Sequence, residues 1–102
     1  MKTVLIYVTF PNRSSAIKIV TSLLKKRLIA CANFTPIVSH YLWKGKIKKT
    51  NEVAVLMKTK KALWPMAQKT ILKLHLYEIP VIELFETEIN FKAKQWIEQE
   101  TK

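Results

Sequence analysis

Hydrophobic and polar positions repeat with two different periods along the chain, and they predict both strands and helices. Residues 2–10 are dense in Val, Ile, Tyr, Thr and Phe and end at a proline, which is typical of a buried strand. Apolar residues then recur at spacings of three and four over residues 16–28, which predicts a helix with one side facing the core. We expect Ser14 or Ser15 to cap the start of this helix.

A long extended segment follows, and the only glycine of the chain predicts how it turns back. Residues 30–43 favour a strand, in which Pro36 indicates an edge position or a bulge. Gly45 lies where the tip of a hairpin requires positive φ. The returning strand is predicted at residues 52–59, so this part of the chain forms a long hairpin.

The remaining residues predict a helix, a strand and a final short helix. The helix covers residues 63–75, because Pro65 is tolerated only in its first turn. A strand is predicted at residues 81–88, and Asn90 is expected to cap the last helix. The order β-α-β-β-α-β-α predicts an α+β, ferredoxin-like domain over residues 1–102, with the helices on one face of an antiparallel sheet.

Composition excludes several classes of function. With one glycine the chain cannot contain a Gly-rich phosphate-binding loop, and with one cysteine it cannot form an internal disulfide. The apolar start of the chain is too short to span a membrane and lacks a signal-peptide cleavage site, so we expect a cytoplasmic protein without a membrane segment. No spacing indicates a Ser-His-Asp or Cys-His pairing, and we expect no enzymatic activity.

The net charge of +11 admits two interpretations. It is typical of proteins that bind nucleic acids or anionic membranes, and it is also produced by a lysine-rich surface with no specific partner. Lysines are scattered along the chain and only two arginines are present, which favours the second interpretation. RNA-recognition domains share the predicted topology, but residues 52–59 lack the aromatic and glycine positions of their third strand, which argues against nucleic acid.

Three segments together resemble the CutA divalent-cation-tolerance family. They are RLIACANFTPIVSHYLWKGKI at residues 27–47, NEVAVLMKT at residues 51–59 and HLYEIPVI at residues 75–82, and the resemblance extends over essentially the whole chain. It implies a non-enzymatic, tight homotrimer in which strands of neighbouring subunits extend one another's sheets. It also implies binding of a divalent metal, above all copper as Cu(II), in cells that tolerate metal stress.

The chain departs from the family pattern near the expected metal ligands. The usual His-Pro-Tyr is replaced by a segment with Leu76 in the proline position. Some members linked to copper carry a Cys in the first strand and a second His before the one at 75, and these places hold Val8 and Leu74 here. Of that ligand set only His75 is present.

His75 and Cys31 are the candidate metal ligands. The imidazole of His75 suits Cu(II), but a histidine at this position also interacts well with the last carbonyls of a helix. The thiolate of Cys31 suits Cu(I), whereas a free cysteine is more commonly a small buried apolar residue. A cleft between subunits would bring Glu52, Glu78 or Cys31 near His75.

Further candidates point to a ligand cleft. Tyr41 and Trp43 lie two apart on one face of a strand, and they either line a pocket with Tyr77 or pack at a subunit interface. Lys58 and Glu78 either bind a charged ligand between subunits or form surface ion pairs. A second hypothesis is therefore a trimeric regulatory protein resembling the PII proteins, with an organic or nucleotide effector in this cleft.

Overall fold

A computed structural model describes all residues from 1 to 102, and it confirms the α+β, ferredoxin-like fold. The strands form one antiparallel sheet with the order β2-β3-β1-β4. The elements in chain order are β1 (Thr3–Phe10), α1 (Arg13–Lys25), β2 (Cys31–Trp43), β3 (Lys46–Lys60), a 3-10 turn (Lys61–Leu63), α2 (Trp64–Leu74), β4 (Ile82–Thr87) and α3 (Phe91–Glu100).

The core lies between one face of the sheet and the helices α1 and α2. Alternate residues of β1 are buried there, and the apolar stripe of α1 covers them, as the two periods in the sequence predict. Burying each of these aliphatic side chains contributes about 1.5–3 kcal/mol. The central residues of this core are Ile6, Val8, Phe10, Ile19, Leu23, Val55, Met57 and Ile71.

Helix α1 is capped by Asn12, so the prediction that Ser14 or Ser15 caps it was wrong. The backbone of Asn12 is extended, and its Oδ1 accepts a hydrogen bond of 2.8 Å from the Ser15 amide. Ser14 and Ser15 lie inside the first turn instead. Asn12, Ser14 and Ser15 all have side chains that can cap a helix. Asn12 is the cap because its side chain accepts from the amide three residues ahead.

Other predicted boundaries are close to the observed ones. Pro65 lies in the first turn of α2, and Pro36 lies in β2, which is an edge strand. Asn90 stands at the start of α3, but its side chain makes no capping hydrogen bond. None of the helices is long and apolar enough to cross a membrane.

Strand β3 begins at Lys46, six residues earlier than predicted. Lys44 and Gly45 form a two-residue turn with φ of 51° and 77°, and positive φ at both positions is typical of a type I′ hairpin. Strand β1 pairs with β3 only from residue 53 onward. Residues 37–52 therefore project beyond the sheet as a two-stranded ribbon, which we call the arm, and the molecule measures 45 × 24 × 21 Å.

The face of the sheet opposite α1 and α2 is called the open face. Odd-numbered residues of β1 and β2 and even-numbered residues of β3 lie on it, because side chains alternate along each strand. It exposes apolar side chains such as Leu56 and Phe85. The arm and the open face together surround the candidate functional site.

Candidate functional site

A cavity of about 390 Å³ extends along the arm from its root towards its tip, between the open face and the connection from α2 to β4. We call it the arm cavity. Its walls combine apolar and aromatic side chains with a few charged ones, which is the usual composition of ligand sites. The lining residues are Tyr7, Thr9, Ile37, Ser39, Tyr41, Trp43, Lys48, Glu52, Tyr77, Glu78, Ile79 and Val81.

Side chains alternate between the two faces of β2, and the odd-numbered residues from 37 to 43 line this cavity. Tyr41 and Trp43 lie on the same face of β2, as predicted, and both line the cavity. Tyr41 donates to or accepts from the Thr50 hydroxyl at 3.0 Å, across the ribbon. The aromatic wall is thereby held by strand pairing and by a side-chain contact.

Tyr77 connects the α2–β4 turn to the arm. Its hydroxyl donates a hydrogen bond of 2.5 Å to Oε2 of Glu52. Burial, together with the hydrogen bond and the negative charge of Glu52, raises the pKa of Tyr77 above its ordinary value. The phenol therefore remains a proton donor across the physiological range, and it holds the Glu52 carboxylate at the edge of the cavity.

Both ring nitrogens of His75 make hydrogen bonds within the chain. Nε2 lies 2.8 Å from the carbonyl oxygen of Thr9, and Nδ1 accepts a hydrogen bond of 3.1 Å from the Tyr77 amide. A carbonyl partner on one side and an amide on the other place the proton of the neutral ring on Nε2. The ring also stacks on Phe10, with centroids 4.8 Å apart and planes 12° apart.

These contacts give His75 a structural role in the turn. Pairing between β4 and β1 ends at Val8. The imidazole of His75 forms a hydrogen bond with the carbonyl oxygen of the next residue, Thr9. The backbone amide of His75 still donates to the Ile71 carbonyl at the end of α2. The side chain thus fastens the end of α2 to β1 and, through the Tyr77 amide, orients the start of the turn.

Cys31 lies far from His75 within one chain. Cys31 is half-buried and pairs with Lys58 on β3. His75 is bonded to Thr9, which pairs with Ala54, four residues from Lys58 on the same strand. At about 3.3 Å per residue, this offset is about 13 Å along the strands. No group of three His, Cys, Asp or Glu side chains lies close enough together to hold a metal ion. His75 and Cys31 are therefore not brought together by the fold of a single subunit.

The arm cavity brings together five of the six residues predicted for a ligand cleft. These are Tyr41, Trp43, Glu52, Tyr77 and Glu78. The sixth, Lys58, lies outside the cavity, and its Nζ donates a hydrogen bond of 2.9 Å to Oδ1 of Asn33.

Several lining residues were missed by sequence reasoning. Lys48 lies directly opposite Tyr41 in the hairpin, and locating the two-residue turn at Gly45 would have predicted this pair. Tyr7 and Thr9 reach the cavity because β1 is the neighbour of β3 in the sheet. No local pattern in the sequence indicates that neighbourhood.

Comparisons with known proteins agree over almost the full chain. The family model described as CutA1 divalent ion tolerance protein matches residues 4–100. The divalent-cation tolerance protein CutA of Pyrococcus horikoshii is 40% identical over 100 residues, which cover 97% of this chain and 98% of that protein.

Solved structures show the same similarity in three dimensions. The crystal structure of CutA1 from Pyrococcus horikoshii matches with a TM-score of 0.94 at 39% identity, covering 97% of this chain and 98% of the other. CutA1 from Oryza sativa matches with a TM-score of 0.95 at 26% identity, covering 100% and 95% of the two chains. The chain therefore belongs to the CutA1 divalent ion tolerance family.

Proposed function

We propose that this protein acts in divalent-cation tolerance as a non-enzymatic, cytoplasmic homotrimer that binds a divalent cation, Cu(II) first of all, in clefts between its subunits. Membership of the family supports the general role. The observation that carries the rest is the arm. It projects from the sheet and carries the candidate residues Tyr41, Trp43 and Glu52 along one face, and a single subunit leaves its other face uncovered.

The exposed apolar residues of the arm support assembly. Val38, Leu42 and Ile47 are 56%, 73% and 81% exposed on the side of the ribbon opposite the cavity. A two-stranded ribbon is only marginally stable by itself, and an open edge strand such as β2 invites pairing with another chain. A closed ring of three subunits would cover the ribbons and leave no arm unpartnered.

The distribution of charge supports a head-to-tail contact between copies. Six of the seven acidic residues lie in residues 78–100, while 15 of the 18 Lys and Arg residues precede them. The basic arm adjoins one edge of the sheet, and the acidic strand β4 forms the other edge. Contact between the arm of one subunit and the β4 side of the next brings opposite charges together, and such a contact closes a ring when the rotation is one third of a turn.

Copper binding between subunits is consistent with the separation of the candidate ligands. Because His75 and Cys31 lie far apart in one chain, a site that uses both takes them from different subunits. A metal ion on His75 would replace its contact with either the Thr9 carbonyl or the Tyr77 amide. Imidazole nitrogen is a common ligand of Cu(II), which is the reason for placing this metal first.

Equilibrium dialysis against Cu(II) tests the metal proposal with a matched pair of variants. His75→Ala and His40→Ala each remove one of the two histidines, and His40 is exposed on the arm. We expect His75→Ala to weaken copper binding at least about tenfold, as loss of a ligand or its support does, and His40→Ala to bind like the wild type. Cys31→Ser is expected to weaken binding as well. Equal copper binding by all four proteins contradicts the proposal.

A second candidate function is regulation by a small effector, as in the PII-like hypothesis. The observation that favours it is that five residues predicted for a ligand cleft line one cavity with both apolar and charged walls. A thermal-shift screen of nucleotides and organic anions, carried out with a chelator present, separates this function from metal binding. An increase in Tm that depends on effector concentration supports it.

A further inference from the structure

Glu52 occupies an unusual position for a carboxylate in this chain. It is the only acidic residue before residue 78, in a protein with 18 Lys and Arg residues. It is half-buried, and none of the three ion pairs of the chain involves it. Its one hydrogen bond uses Oε2, to Tyr77, so the other carboxylate oxygen has no partner in the chain. No buried side-chain oxygen of the chain lacks a hydrogen-bond partner, so this second oxygen of Glu52 is accessible to solvent and can accept a hydrogen bond from a ligand.

The arm cavity has the opposite sign of charge from the protein as a whole. Two carboxylates, Glu52 and Glu78, face one ammonium group, that of Lys48, whereas the chain carries a net charge of +11. Lys48 is exposed, and its long side chain can extend into solvent. Glu52 is half-buried, so its charge is screened less by salt than that of Lys48.

The remaining walls suit an apolar body. Tyr41, Trp43 and Tyr77 present aromatic rings, and Ile37 and Ile79 add aliphatic surface. Aromatic faces attract cations, and the attraction strengthens when the cation is desolvated. A hydrated inorganic ion would leave most of these walls unused.

We propose that the arm cavity binds a small organic cation, in which a protonated amine on an apolar body pairs with the free oxygen of Glu52. Tyr77 and Tyr41, the aromatic residues nearest to Glu52, contact the body of the ligand, and the Tyr77 hydroxyl keeps the carboxylate oriented. This inference goes beyond copper binding and does not depend on it, because none of its contacts uses His75 or Cys31.

Three probes with the same aryl body isolate the effect of charge. They are 2-phenylethylammonium, neutral 2-phenylethanol and anionic phenylacetate, each titrated into the native assembly by NMR with EDTA present to remove metal ions. We expect the ammonium compound to bind at least about tenfold more tightly than the alcohol, from its ion pair and cation–π contact, and phenylacetate to bind weakest. Equal binding of all three, tightest binding of phenylacetate, or no binding of any probe overturns the proposal.

A matched pair of variants locates the binding site. Glu52→Gln removes the charge but retains an acceptor for the Tyr77 hydroxyl, and Glu98→Gln removes the same charge on α3, outside the cavity. Glu52→Gln is expected to bring the preference for the ammonium probe over the alcohol close to one, while binding of the alcohol is retained. Glu98→Gln is expected to keep the preference. An unchanged preference in Glu52→Gln contradicts the assignment. Native mass measured for each variant distinguishes a loss of ligand binding from a loss of assembly.

Discussion

The Tyr77 hydroxyl donates to Oε2 of Glu52 over 2.5 Å, and this contact fastens the α2–β4 turn to the root of the arm. The two residues are 25 positions apart in the chain and belong to different elements. On the other side of the turn, Nδ1 of His75 accepts a hydrogen bond from the Tyr77 amide, and its Nε2 bonds to the Thr9 carbonyl oxygen on β1. The arm, the turn and the sheet are therefore joined through three adjacent hydrogen bonds.

Tyr77→Phe is expected to lower the free energy of unfolding by about 1–3 kcal/mol, because it leaves a half-buried carboxylate without its donor. Urea unfolding at a fixed protein concentration measures this change, since assembly contributes to stability. Tyr41→Phe is the control, because its hydroxyl contacts Thr50 at an exposed position. Equal losses in the two variants would argue against a special role for the Tyr77–Glu52 contact.

The pKa of Tyr77 predicts how this contribution depends on pH. Because the folded-state pKa is raised above the unfolded value of about 10, folding retains the proton, and the stabilisation is complete below about pH 10. It is lost as pH rises through the folded pKa. The difference in stability between wild type and Tyr77→Phe is therefore expected to be constant up to about pH 10 and to shrink above it. A difference that stays constant into that alkaline range contradicts the prediction.

The structural role of His75 can be separated from any role in metal binding. His75→Ala loses two hydrogen bonds and the stacking contact with Phe10, and we expect it to lower the free energy of unfolding by about 2–4 kcal/mol with EDTA present. His40→Ala, at an exposed position, is expected to change it by less than about 0.5 kcal/mol. If both variants are as stable as the wild type without metal, the structural role is refuted.

The start of α1 offers a simple test of the observed cap. Asn12→Ala removes the acceptor for the Ser15 amide and is expected to cost about 1 kcal/mol of stability. Ser14→Ala lies inside the first turn and is expected to cost less than about 0.5 kcal/mol. Chemical unfolding of the two variants compares them directly, and the opposite order would restore the serine as the cap.

The elements that follow strong local patterns could be predicted from the sequence. The alternation of β1 and the stripe of α1 identify their type, and the glycine at position 45 identifies the hairpin tip. The start of β3 could not be located, because residues 46–51 are dense in lysine and a ribbon exposed on both faces has no clear apolar alternation. Pairing in the hairpin, rather than burial, defines this part of the strand.

The sequence indicates candidate site residues, but it does not indicate the hydrogen bonds that connect them. The resemblance to the family indicated His75, Tyr77 and Glu52, yet nothing local shows that the tyrosine donates to the glutamate. The contacts of His75 also depend on β1 lying beside the end of α2, which follows from the sheet order. Contacts between residues far apart in sequence are set by tertiary packing, and a single sequence carries no direct record of them.

Native mass spectrometry during a Cu(II) titration tests the central claim, that copies of this chain complete one another's sites. The account predicts a metal-free assembly of three times 11.9 kDa that takes up copper in multiples of three. A trimer that takes up no copper would retain the assembly and refute the metal site. A species of 11.9 kDa at micromolar concentration would contradict the assembly itself, and with it the clefts in which cation binding is placed.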